Sequence, residues 1–221
     1  MKILRGEAVR LKIFLRPFVV GKYLRTHEHR MLDIGSGPFK GVDGWLTADA
    51  FKSEADIYLN AKHGFPFPDG SFDIVYSEHL IEHIYIDKVP RFLREIHRIL
   101  KPGGLCRIAT PDLEIYAANY VAKNDDFFAT TIKNSKARWG GPAKNKFWLV
   151  RSNGGAFMTR AVQRFYHHRW MYDYETLASC LQEVGFTRCV KQSCGESLNE
   201  AAGRRDGSKR WEDTLYVDAV K

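Results

Sequence analysis

Cysteine is scarce in this sequence and never paired. Its four cysteines, Cys106, Cys180, Cys189 and Cys194, show no C-x-x-C spacing. Neither a disulfide framework nor a cysteine-based zinc or redox motif is expected. A chain of 221 residues buries enough surface to do without covalent staples, so reduced thiols and a cytoplasmic location are the expectation. No apolar run reaches the roughly 18 residues of a membrane span. There is no internal repeat and no low-complexity segment. The N-terminal stretch MKILRGEAVRLKIFLRPFVVGKYLR is basic and partly apolar, but Arg10, Lys12 and Arg16 interrupt it and no small-residue cleavage site follows. A helix packed on the domain is expected there rather than a signal peptide. A helix lying on a membrane surface is the second reading. Acidic residues are outnumbered, 26 against 34 Lys and Arg, for a formal net charge of +8. Such a balance suits nucleic acid or an acidic surface as partner, although a basic, solvated exterior accounts for it equally simply and is read first.

What is present reads as one α/β domain. The run RMLDIG (residues 30–35) is a short buried strand ending in Gly. GWLTADA and ADIYLN follow as two more strands, and FPFPDGSFDIVYS is a Pro/Gly turn leading into a strand over 72–77. Val89, Phe92, Leu93, Ile96, Ile99 and Leu100 recur at helical spacing, and KPGG stops that helix. LCRIATPD is the next strand, YETLASCLQEVGF a helix closed by Gly185, and FTRCVKQ and DTLYVDAV are two final strands. Alternation of strand and helix predicts a doubly wound, mostly parallel sheet. No helix is expected in the last connection, so the final pair is predicted antiparallel. The domain divides into an N-terminal helical segment (1–29), a cofactor-binding half (30–111), an insertion or lid (112–173) and a C-terminal helix with the strand pair (174–221). The insertion is rich in aromatics and glycine, including Trp139, Gly140, Gly141, Trp148, Tyr166 and Trp170.

The chemistry concentrates at strand ends, where open α/β sheets bind ligands. LDIGSGPFKG puts Asp33, Gly35 and Gly37 after the first strand. The dinucleotide fingerprint needs a third glycine or alanine, and Lys40 stands there instead. A carboxylate at Asp33 would repel a diphosphate but suits a cofactor that carries an ammonium and a sulfonium charge. Asp49, after the second strand, is placed to accept hydrogen bonds from a ribose diol. Asn60, after the third, has the donors and acceptor to read an adenine edge. Each of these has a plainer reading as a turn former or cap; all three at successive strand ends form a pattern.

MLDIGSGP, FPFPDGSFDIVYSEHLIEHI, LREIHRILKPGGLCRIATPD and LASCLQEVGF together resemble class I S-adenosylmethionine-dependent methyltransferases, nearest to their small type 11 branch. The resemblance spans about residues 30–111 and resumes at HHRWMYDYETLASCLQEVGF and GES. It implies a Rossmann-like sheet of about seven strands with the last antiparallel, and S-adenosylmethionine as cofactor. Asp33, Gly35 and Gly37 would line its methionine part, Asp49 its ribose, and Asn60 with the backbone of Ala61 its adenine. Ser77, Glu78 and His79 would lie beside the methionine carboxylate and the transferred methyl. Two features depart from the pattern. Asp49 follows Gly35 by only 14 positions, so the first helix must be very short or missing, which would open one side of the cofactor pocket. Asn60 also stands where Asp is common.

His79-Leu80-Ile81-Glu82-His83 spells H-x-x-E-H, the signature of a zinc peptidase group. That chemistry needs a third ligand from a downstream helix, and neither Glu95 nor Glu114 fits, so no metal is expected. The spacing is read instead as a strand-to-helix junction beside the methyl donor. A hydroxyl acceptor would need a base, and His79, His83 and His168 are the candidates, with His167 less constrained. YSEH stands where enzymes acting on base or glutamine amino groups often carry Asn/Asp-Pro-Pro-aromatic. A small-molecule acceptor, with O-methylation, is therefore the expectation. An RNA methyltransferase, a cofactor-binding module without catalysis and a zinc hydrolase are the competing readings. Oligomeric state is not legible.

Overall fold

The computed structural model describes residues 2–37, 44–50, 54–131, 153–157, 168–207 and 211–221. Seven strands form one sheet: β1 (Met31–Ile34), β2 (Trp45–Asp49), β3 (Ile57–Tyr58), β4 (Phe72–Glu78), β5 (Leu100–Pro111), β6 (Arg188–Gln192) and β7 (Thr214–Val220). Their order is β3-β2-β1-β4-β5-β7-β6. The first five pair in parallel, and β7 runs antiparallel to both β5 and β6. The parallel strands are apolar on both faces, as burial on both sides requires. The predicted fold class, strand set and antiparallel final pair are what the structure has. The order reverses at β1, which lies between β2 and β4, so the crevice outside their carboxyl ends is the topological switch point.

The helix α2 (Val89–Ile99) forms where its apolar spacing predicts. In it, Val89, Phe92, Leu93, Ile96 and Ile99 are buried, and Pro90 occupies the first turn, where its missing N–H has no cost. Leu113–Val121 is α3, capped by Asp112, whose side chain accepts from the Glu114 N–H at 2.9 Å. Tyr174–Glu183 is α4, capped in the same way by Asp173. It ends at Gly185, whose φ of +108° and 3.1 Å approach of a would-be Cβ to His97 exclude a side chain. The N-terminal helix α1 (Lys2–Thr26) packs on the sheet through its C-terminal part. There the buried Tyr23 hydroxyl accepts from the Met31 N–H at 2.8 Å and donates to the Gly44 carbonyl at 2.6 Å. Earlier in α1, Leu11, Phe14 and Phe18 are exposed. No described helix is long and apolar enough to cross a membrane.

Two expectations change. KPGG does end α2, but β5 already begins at Leu100, so these residues open the strand. The last connection does hold a helix, α5 (Glu200–Gly203). The sheet face beside the short β1–β2 join carries a cover from elsewhere in the chain. Only residues 35–44 join β1 to β2, too few for a full crossover helix, and residues 38–43 of that join are outside the described set. The face beside them is covered by the β6–β7 connection, where Ala202 of α5 packs with Trp45, Ile74, Tyr76 and Leu105. The insertion expected over 112–173 is described only in part. Within it are α3, a helical stretch over 125–131 and a short helix Asn153–Ala156. Its role as a lid falls largely on residues outside the described set.

That connection is tied down from the middle of β5. The fully buried Arg107 donates to Asp206 through Nε at 2.8 Å and through Nη2, to Asp218 through Nη1 at 2.8 Å, and to the Ser193 carbonyl at 3.1 Å. Asp206 and Asp218 also accept backbone N–H bonds from Gly195 and Leu198. A buried charge set is stable only when it is hydrogen-bonded throughout, and breaking it by removing one member costs far more than it would at the surface. Arg107→Ala is expected to lower the unfolding free energy by about 3–5 kcal/mol, measured by urea denaturation. A loss below about 1 kcal/mol, the scale of a surface pair, would refute the anchoring role.

Candidate functional site

The chain leaves β1 through two glycines with positive φ, Gly35 at +81° and Gly37 at +65°. The turn is fixed from β2: Gly35 N–H donates to the Ala48 carbonyl at 2.8 Å, and Gly37 N–H to Asp49 Oδ2 at 3.0 Å. A Cβ on Gly35 would sit 3.1 Å from Leu80, whereas one on Gly37 meets no described atom within 4 Å. Gly35 is thus required by strain and by packing, and Gly37 leaves its backbone open to a ligand. Around this turn the hydroxyls of Ser36 and Ser77 are buried with no hydrogen-bond partner among the described residues. Buried polar atoms without partners are costly, and here they line the place where a polar cofactor would lie. Two unpartnered hydroxyls beside a glycine turn fit a polar cofactor in this region.

Of the predicted contacts, Asp33, Gly35, Gly37, Asp49 and Ser77 come together at the ends of β1, β2 and β4. Asn60 and the buried Ala61 follow β3. The Asn60 side-chain Oδ1 accepts from the Lys62 N–H at 3.0 Å, forming a turn. The Glu78 carboxylate accepts from the Tyr76 hydroxyl at 3.2 Å and lies against Gly207 in the β6–β7 connection. That connection also sends Arg205 to Asp33, a contact between residues 172 positions apart that no local pattern announces. Burial pushes the Asp33 carboxyl up, the Arg205 guanidinium pulls it back, and it stands at about 6. A concavity of about 350 Å³ lined by His29, Asp73, Lys101 and Asn199 lies at the opposite, amino-terminal edge of β4 and β5 and involves none of these residues.

On the far side of β4 the H-x-x-E-H residues do not share one helix. His79 has a φ of +50°, and only Ile81–His83 form a 3₁₀ turn. The peptidase arrangement of two histidines on successive helical turns is therefore absent. Instead Glu82, with no exposed surface, sits among three imidazoles. His79 Nδ1 is 3.1 Å from its Oε1, with His83 Nε2 at 3.8 Å and His168 Nε2 at 3.9 Å. Burial raises the Glu82 carboxyl, but the His79 hydrogen bond and the charges of His79, His83 and His168 outweigh it and lower the group to about 2. The carboxylate as acceptor places the His79 proton on Nδ1, leaving Nε2 to accept from the Thr214 hydroxyl at 3.3 Å. Sequence reasoning singled out His79, His83 and His168 but not Glu82 as their common partner, nor Thr214. His167 lies outside the described residues.

A doubly wound sheet with a glycine turn at the switch point and an antiparallel seventh strand is a Rossmann-like α/β fold. Residues 32–108 match the family model described as a methyltransferase domain. It is 26% identical over 140 residues, 62% of this chain and 47% of the relative, to a ubiquinone/menaquinone biosynthesis C-methyltransferase of Pseudoalteromonas translucida. It is 33% identical over 73 residues, 33% of this chain and 24% of the relative, to ajmaline N-methyltransferase of Rauvolfia serpentina. The chain spans less than half the length of these curated relatives. A crystal structure of a SAM dependent methyltransferase from Archaeoglobus fulgidus superposes with a TM-score of 0.50 at 15% identity, covering 100% of this chain and 99% of that one. That likeness shows the same fold.

The Asp33 value carries a pH signature. Its folded pKa of about 6 exceeds the ordinary 3.8, so the folded state holds the proton longer than the unfolded chain. The stability this group contributes is full below about pH 4 and lost as pH rises through about 6. Asp33→Asn removes the titration. The unfolding free energy of the variant minus that of wild type is expected to increase from pH 4 to pH 6. Parallel stability curves across that window would contradict the assignment.

Proposed function

We propose that the chain is an S-adenosylmethionine-dependent methyltransferase acting on the hydroxyl of a small molecule, with His79 as general base. The observation that carries the acceptor chemistry is the His79–Glu82 pair, directly after the strand whose end faces the glycine turn. The cofactor part is supported by the methyltransferase domain over residues 32–108 and by the polar lining of the turn. When bound, S-adenosylmethionine supplies an electrophilic methyl carbon. The protein's own residues then have three tasks. Asp49 holds a ribose diol, and Asp33 with Ser77 faces the charged methionine end. An acceptor hydroxyl would take the place of Thr214 at His79 Nε2, which would receive its proton while the oxygen bonds the methyl carbon and the sulfur–methyl bond breaks, the thioether product leaving. Glu82 keeps Nδ1 protonated and stabilises the imidazolium, the role a buried carboxylate plays behind a catalytic histidine. His83 and His168 face the same carboxylate and shape the acceptor side. Alignment of nucleophile and methyl supplies the rest of the rate.

Titration calorimetry and turnover test the two parts separately. Asp49→Ala is expected to weaken S-adenosylmethionine binding about 10- to 100-fold, the loss of hydrogen bonds to a charged group. His79→Ala should keep that affinity and lose turnover by about 10²–10⁴-fold; unchanged turnover removes His79 from the mechanism. The acceptor class is read by offering labelled cofactor to metabolite pools and to RNA. Label in the small-molecule fraction supports the reading. Label in RNA would replace it with the second acceptor class, which the net charge of +8 favours.

A further inference from the structure

We propose that Glu82, His83 and His168 form a binding site for one divalent first-row transition ion of the zinc kind. Glu82 Oε1 and the Nε2 atoms of the two histidines are the ligands. The proposal stands independently of the methyl-transfer reading. It also differs from the H-x-x-E-H peptidase pattern: Glu82 is a ligand rather than a base, and the second histidine comes from residue 168 rather than 79.

The geometry points to an ion. The candidate ligand atoms of the three residues lie within 4.8 Å of one another. The Glu82 Oε1 separations, 3.8 Å to His83 and 3.9 Å to His168, are too long for hydrogen bonds. They are within about 0.5 Å of the ~3.4 Å edge of a tetrahedron built on bonds of about 2.0–2.1 Å. The separation between the histidines is bounded at 4.8 Å, so the two imidazoles must turn toward each other around the ion. The donor set of two imidazoles and one carboxylate is of the kind that zinc and other first-row ions take while retaining an open position for water or substrate.

The site is also held in advance. The Glu82 carbonyl accepts from the Arg169 N–H at 2.7 Å, which docks the residue after His168 against the turn that bears Glu82 and His83. His79 Nδ1 at 3.1 Å and the Thr110 hydroxyl at 3.4 Å orient the carboxylate from outside the ligand set. Such partners fix ligand orientation at metal centres. A dication would neutralise a carboxylate that is otherwise fully buried among histidines. The His83 side chain, 27% exposed, marks the way in and the side of the open position. The ion would clasp the turn after β4 to the C-terminal end of the insertion, at His168.

The test uses untagged full-length protein, stripped with a chelator and titrated with ZnCl₂ by calorimetry, with CoCl₂ uptake followed by visible absorption in parallel. One ion per chain is expected, with ligand-field bands for cobalt. His83→Ala and His168→Ala should each weaken binding by at least 10–100-fold, the scale already seen when outer partners of a metal are removed, with circular dichroism unchanged. Should His168→Ala fail to fold, the more exposed His83→Ala decides alone. No stoichiometric uptake, or uptake that both substitutions leave intact, overturns the site. Zinc uptake without heat from S-adenosylmethionine would leave the metal site standing and remove the methyltransferase reading; the reverse result would do the opposite.

Discussion

A guanidinium in the middle of the sheet governs much of this molecule. A parallel sheet must be covered on both faces, and the join between β1 and β2 is too short to contribute a crossover helix. The cover is borrowed from the other end of the chain. Arg107 on β5, fully buried, takes Asp206 and Asp218 and the Ser193 carbonyl. That set of bonds turns what would be a loose connection between two antiparallel strands into a lid for the bare face. The consequences reach the ligand crevice. α5 packs against Trp45 and Tyr76, Gly207 lies against Glu78, and Arg205 reaches Asp33 at the end of β1. The carboxylate nearest the cofactor's expected cationic end thus already has a cation beside it, supplied by the lid.

A second buried charge organises the turn after β4. Glu82 keeps its negative charge despite complete burial because His79, His83 and His168 surround it. One cluster therefore gathers the histidines that sequence inspection leaves scattered over 79–83 and 168. A carboxylate behind an imidazole is what a general base requires, and a carboxylate between two imidazoles is what a metal ion requires. The two roles use different histidines and are separable, because His79 lies on one side of Oε1 and the other pair beyond hydrogen-bond reach of it.

Local pattern carried a large part of the fold. An apolar run ending in glycine marked β1, an apolar run after a Pro/Gly turn marked β4, the spacing in 89–100 marked α2, and Gly185 marked the end of α4, each because the signal lies within a few residues of the element it specifies. The glycine turn and Asp49 were legible for the same reason: strand ends at a switch point are where such residues act. α5 was not legible, because four residues between polar turns carry no periodicity. The start of β5 was misplaced because Lys-Pro-Gly-Gly reads as a stop signal whether or not a strand follows at once.

The sequence by itself determined the class of sheet, the antiparallel final pair and the glycine turn. Tertiary structure alone decided which charges meet. Arg205 with Asp33, Arg107 with Asp206 and His168 with Glu82 are separated by 172, 99 and 86 positions. Pairings at such distances leave no periodic trace. Their strength comes from removing both partners from water, which happens only once the sheet, its lid and the segment around His168 have closed together.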